Sequence, residues 1–223
     1  MKKTAVILAL AAILCSCINV NVNGGNTVKC AGEVVERDMP FSGFTGIKVE
    51  GAAEIDFCQA NTFKVLVTAN EEVFNYLDYT IKGNDLVLST INHVNISAKV
   101  YKVLIEAPVI TSIDIEGAAK MHLPGGYSSS EKLEIEIDGA GKLDFRGIDV
   151  PTLDLQINGA GEFDLAGIKV GTLEIEVNGA GKGTVSGVAD YARISVAGTA
   201  KIDASALQCP SIEKHVDGLA VIK

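Results

Sequence analysis

Six carboxylates recur at matching places in a repeated phrase, and carboxylates at fixed spacing are the side chains here best suited to chemistry. Glu134, Asp154 and Glu174 each stand five residues before a glycine, and Asp144, Asp164 and Asp203 each stand five residues after one. If the phrases stack, two outward acidic ladders follow. Pectate-lyase-like enzymes use such a face to hold calcium against an acidic sugar, and paired carboxylates serve glycosidases. Against this, like charges ~4.8 Å apart in water repel by only about 1 kcal/mol, less in salt, so a solvated strand face tolerates them. Thr184 interrupts one ladder, and Arg146 and Arg193 each stand alone in the sequence, with no arginine placed as a base beside the other. The expectation is a candidate acidic surface with no catalytic residue and no metal.

The remaining reactive types fall into no pattern. His93, His122 and His215 are isolated, with no HExxH or other ligand spacing. Ser128, Ser129 and Ser130 follow Gly125 and Gly126 without a GxSxG elbow, so they read as a loop that lengthens one repeat. There is no GxGxxG and no Walker lysine, hence no phosphate cradle and no cofactor is expected. A formal charge of −9, or −11 without Lys2 and Lys3, together with the lack of tryptophan, excludes nucleic acid as a partner. Cys30, Cys58 and Cys209 form no CxxC; two of them could pair, or all could be free thiols.

The elements that must position these side chains are legible in the phrases LEIEIDGAGKLDF, LDLQINGAGEFDL, LEIEVNGAGKGTV and RISVAGTAKIDA. Their marker glycines, Gly117, Gly139, Gly159, Gly179 and Gly198, are separated by 22, 20, 20 and 19 residues; Gly218 follows after 20, and Gly51 opens the series from afar. Residues six, four and two before a marker are apolar, as in Leu133, Ile135 and Ile137, and the alternation resumes after it with Leu143 and Phe145, then Phe163 and Leu165, then Ile202 and Ala204. Period two with β-branched side chains means strands with one face inward. A third inward position is expected at Ile148, Ile168, Val188 and Leu207. One such unit cannot bury its apolar face alone, so the units stack.

The expected fold is all-β: a right-handed parallel β-helix, a solenoid of ~20-residue coils with two main sheets separated by the glycine turn. The markers and the second glycines of GAG should supply positive φ or close backbone approach. Asp138, Asn158 and Asn178 should bond their own backbone at the turn, and Lys142, Glu162 and Lys182 alternate in sign and help set register.

Residues 1–16 read as a lipoprotein signal peptide, since Lys2 and Lys3 precede the apolar run Ala5 to Leu14. Leu14-Cys15-Ser16-Cys17 resembles a bacterial lipobox, which implies cleavage before Cys17 and acylation there. Residues 17–33 read as a tether. The domain then spans 34–223, with a less regular N-terminal β cap over 34–110 and the glycine-turn repeats over 111–223. In the cap, Asn70 should open one short helix with Glu71 and Glu72 in its first turn, and Gly83-Asn84-Asp85 should turn a hairpin.

The EGAA, DGAG and NGAG turns, with the segment from Val35-Glu36-Arg37 to Phe44-Thr45-Gly46-Ile47, resemble the GIN-domain heads of auto-transporter adhesins, lipoprotein-like exports of Bacteroidetes. The likeness covers about Val34 to Lys223. It implies a β-helix of the pectin-lyase type with glycine motifs at the turn between sheets, an adhesion role, and a glycan or protein ligand at the cell surface. Nothing after Gly218 resembles a translocating β-barrel, so a lipid anchor at Cys17 is expected to tie the protein to the outer membrane, facing the surface or the periplasm.

Overall fold

The computed structural model describes residues 26–223. The expected signal peptide, Cys17 and most of the tether lie outside the described residues. The described chain is all-β, with fourteen strands, two short 3₁₀ turns and no α-helix. Strands Gly46–Gln59, Ser112–Leu123, Leu133–Arg146 and the long run Ile148–Gln208 carry the repeats. They pair parallel and in register, marker upon marker: Gly51 with Gly117, Gly117 with Gly139, Gly139 with Gly159. Within the long run Gly179 lies directly over Gly159, and Gly198 over Gly179. Ser211–Gly218 adds one more parallel strand, pairing Gly198 with Gly218.

Because neighbouring units are in register, each inward position becomes a column. Leu133, Leu153 and Leu173 are buried above one another, as are Ile135, Leu155, Ile175 and Ile194. One continuous apolar core runs from Cys30 to Ala204. Inward and outward alternation keeps its phase through the marker, and Leu133–Arg146 is a single strand rather than two strands parted by a turn. The marker bends the chain without breaking the ladder: Gly139, Gly159 and Gly179 have φ of 140, 141 and 139°. A Cβ on Gly159 would lie 2.4 Å from the Gly139 carbonyl oxygen, so the column admits no side chain. The second glycines differ from expectation, since their φ is not positive. There a Cβ would meet a side chain, as Gly161 would meet Ile157 Cγ2 at 2.7 Å.

Val188 does not take the inward place expected of it. It is 47% exposed, and Ala189 is buried instead. The unit between Gly179 and Gly198 is one residue short, and the missing residue falls before Gly187. Gly187 therefore sits on Ile168, where a Cβ would be 2.1 Å from the Ile168 oxygen, and Val188 moves to the outward phase. A second vacancy is filled from below, because the Phe163 ring occupies the space above it and would lie 2.0 Å from a Cβ on Gly183.

The less regular part closes the low end of the stack. Gly46–Val49 is backed by Asp85–Leu88, and Glu54–Gln59 by Lys102–Ala107, both parallel. The sheet continues outward antiparallel through Lys64–Asn70 to Val34–Met39. The hairpin at Gly83 forms as expected, Thr80–Lys82 against Asp85–Leu88. The expected short helix is instead a 3₁₀ turn, Glu71–Asn75, and Asn70 makes no capping bond. Its side chain is committed elsewhere: Nδ2 donates to the Gly32 oxygen at 2.9 Å, while Oδ1 accepts from the Lys99 and Val100 amides at 3.0 and 3.1 Å.

Candidate functional site

The outward columns on the strand segments before the markers are rich in carboxylates, with Glu134, Glu136, Asp138, Asp154 and Glu174 among them. Glu134 lies in register with Asp154, and Glu174 follows above. Burial, then Glu174 and Glu134, push the Asp154 carboxyl above its ordinary range. The column is bracketed by cations. Lys132 pairs with Glu134 at the lower end, and Arg193, within electrostatic reach of Glu174, lies 3.4 Å from Glu213 at the upper end. Arg193 thus does not stand alone, as its sequence neighbours suggest; it occupies the same column, five residues before Gly198.

Two further columns lie beside this one. Asp114, Glu136 and Gln156 are in register, with Lys48 at the foot bonding Asp114 at 2.6 Å and also Glu116. Burial pulls the Lys48 ammonium down, but the two carboxylates outweigh it and hold its pKa above the usual value. Burial, with Asp138 and Asp114 nearby, pushes the Glu136 carboxyl up. Next to the corner, Asn178 donates to Asn158 at 3.2 Å and Asn158 to Asp138 at 2.9 Å. These side chains bond one another across the units rather than their own backbone, because a column of acceptors and amide donors at strand spacing satisfies itself.

The second acidic ladder is cross-braced. Arg146 Nη2 reaches Asp144 at 2.9 Å and Asp164 at 3.1 Å, and the Thr184 hydroxyl donates to Asp164. His122 Nδ1 lies 3.8 Å from Asp144 in the same column. Asp203 accepts from the hydroxyl and amide of Ser205, which holds its carboxyl below the usual range. Thr184, expected only to interrupt the ladder, is one of its partners. The two ladders lie on opposite sides of the glycine corner, and among the described residues no three His, Cys, Asp or Glu side chains converge on one metal-sized point.

The corner itself carries a groove of about 470 Å³. Its floor is Ala140, Ala160 and Ala180 with Gly141, Gly161 and Gly181, and its rim is Lys142, Glu162 and Lys182. The rim alternates as the sequence indicated, with Lys142 to Glu162 at 3.1 Å and Lys182 to Glu162 at 3.9 Å. Cys30, Cys58 and Cys209 are free thiols. The counter-charges Lys48 and Lys132 were missed by a search for acids alone. Lys48 could have been found by counting three residues back from Gly51, as Glu136 is counted from Gly139.

The fold is similar to that of a protein from Parabacteroides distasonis ATCC 8503 described as a putative lipid binding protein, with TM-score 0.78, 19% identity, and 88% of this chain and 98% of that one covered. A putative adhesin from Bacteroides fragilis NCTC 9343 gives TM-score 0.70 at 18% identity, covering 88% of this chain and 99% of the other. A putative adhesin from Parabacteroides merdae ATCC 43184 gives 0.57 at 16%, covering 89% and 98%. At such identities the likeness is one of fold. No curated protein sequence matches the chain. Residues 43–223 match the family described as putative auto-transporter adhesin, head GIN domain, and that match spans every stacked glycine from Gly51 to Gly218. The chain belongs to the GIN-domain head family of putative auto-transporter adhesins.

Proposed function

We propose that the protein is a non-enzymatic, lipid-anchored component of the outer membrane, and that its stack, a right-handed parallel β-helix, serves as an adhesin-like binding surface. The observation that carries this reading is the in-register set of outward columns, Glu134–Asp154–Glu174 with its brackets Lys132 and Arg193 foremost. Strand neighbours fix these charges at intervals of ~4.8 Å on a rigid face. Such a face meets an extended glycan or a protein segment through many weak contacts. Membership of an adhesin-head family supports the same reading. The surface ion pairs contribute little to stability individually, at most about 1 kcal/mol each, so the face can exchange them for a partner's charges. Acylated Cys17 would hold the domain at the membrane, two or more acyl chains being needed for stable anchoring.

The test is an array of glycans and matrix proteins probed with the purified chain, run beside assays for unsaturated and reducing sugars. Saturable binding is expected, weakened by the pair Glu134→Gln and Glu174→Gln, with no sugar released. Release of unsaturated sugars would replace the adhesin reading with a polysaccharide-active one. Silence across the array would leave a structural envelope module. Mass spectrometry of the native amino terminus should find lipid on Cys17, and a chain beginning elsewhere without lipid would remove the anchor.

A further inference from the structure

The two ends of the stack are finished differently. At the low end Ile47 and Val49 are 1% exposed beneath Asp85–Leu88. At the other end Ser211–Gly218 pairs with Tyr191–Gly198 on one side, and among the described residues no strand pairs with its second edge. All eight of its residues are exposed. Ile212 lies over Ala192 and Val216 over Val196, both on the inward phase, yet Ile212 is 38% and Val216 43% exposed. An open main-chain edge flanked by apolar side chains is a template for another strand.

Between Ile212 and Val216, the third inward position is held by Lys214, which lies over Ile194. Everywhere else in that column the residue is aliphatic: Ile47, Ile113, Ile135, Leu155, Ile175 and Ile194. The occupant for which this edge is best matched is a second copy of itself. Two copies meeting antiparallel about a two-fold axis at residue 214 keep their inward faces on one side, since residues whose numbers sum to 428 share parity. Ile212 then opposes Val216 of the other copy, Glu213 opposes His215, and Ser211 opposes Asp217. Every cross-strand pair is compatible except one, because Lys214 opposes Lys214. Like charges directly opposite destabilise a pair of strands, and an inward-pointing charge is a means by which edge strands avoid joining.

We propose that Lys214 guards this edge against end-to-end pairing with a second copy of the chain. The full chain is measured by light scattering, in a detergent whose contribution is subtracted, with circular dichroism as the check on folding. Wild type and Lys214→Arg are expected at the mass of one chain, and Lys214→Ile at twice that mass under the same conditions. Adding Val216→Lys to Lys214→Ile should restore the single mass, since it returns an inward-pointing charge to the edge, now facing Ile212 of the other copy. The proposal is overturned if Lys214→Ile keeps the wild-type spectrum and the single mass. It is equally overturned if the wild type is already paired and Val216→Lys halves it, or if Lys214→Ile forms larger species that Val216→Lys does not reverse.

Discussion

Replacing a marker glycine by alanine separates two costs that the stack imposes on the same kind of residue. At Gly159 φ is +141°, and a Cβ would fall 2.4 Å from the Gly139 carbonyl oxygen and 3.2 Å from its carbon and nitrogen. Holding a non-glycine residue in a region nearly reserved for glycine costs about 1–3 kcal/mol. Relieving the collision requires the two units to move apart, and such overpacking costs about 1–3 kcal/mol more. Gly51 is the built-in control: its φ is +123°, but nothing lies within 4 Å of the Cβ position. It sits between the strands backing Gly46–Val49 and Glu54–Gln59, where no unit lies beneath it. Gly51→Ala should therefore lose only the first term and Gly159→Ala both, a gap of about 1–3 kcal/mol in urea unfolding. A lower m-value in Gly159→Ala would show that units beside it separate from the rest, as one-dimensional stacks allow, and Gly159→Val should widen that region. Equal losses, or a larger one at Gly51, would refute the collision argument.

Gly183→Ala should destabilise by about 1–3 kcal/mol, because the added methyl meets the Phe163 ring; Phe163→Leu in the same chain should recover part of that loss, and strict additivity in the double-mutant cycle would refute the contact. Asp154→Asn should raise the urea midpoint at neutral pH. A carboxyl whose folded pKa is raised contributes destabilisation that develops as pH climbs past its unfolded value near 3.9, so the gain should vanish by about pH 3, and a gain persisting there would show another cause. Millimolar calcium should stabilise no more than sodium chloride of equal ionic strength. A true site at 100 times its dissociation constant would add ~2.7 kcal/mol, and a saturable calcium-specific rise abolished by Asp154→Ala would favour the lyase-like alternative.

The stacked core was legible because a 20-residue period and a period of two leave few choices: Leu133, Leu153 and Leu173 can share one column in only one register. What escaped was decided by single residues in three dimensions. The 19-residue unit announces a missing residue but not where it falls, and only the seating of Gly187 on Ile168 moves Val188 outward. Asn70 has the composition of a helix cap, yet three distant backbone groups claim its side chain first. The acidic ladders were read as rows of like charge because sequence spacing counts acids, whereas Arg146 reaches across two units and Arg193 caps a column by standing in it.

The uneven spacing of the stacked glycines sets an order in time. From Gly117 upward each partner is 19 to 22 residues away along the chain, but Gly51 must find Gly117 across 66 residues. Closing the longer loop costs about 1 kcal/mol more by the logarithmic rule, before any ladder bond rewards it. By loop closure alone, assembly is expected to start among the upper units, where each new rung is the next stretch of chain, with the joining of Gly46–Gln59 to Ser112–Leu123 last. During synthesis Gly46–Gln59 emerges well ahead of Ser112–Leu123, and the partners that reach it first are Asp85–Leu88 and Lys102–Ala107, which hold its other edge and leave one edge ready for the stack.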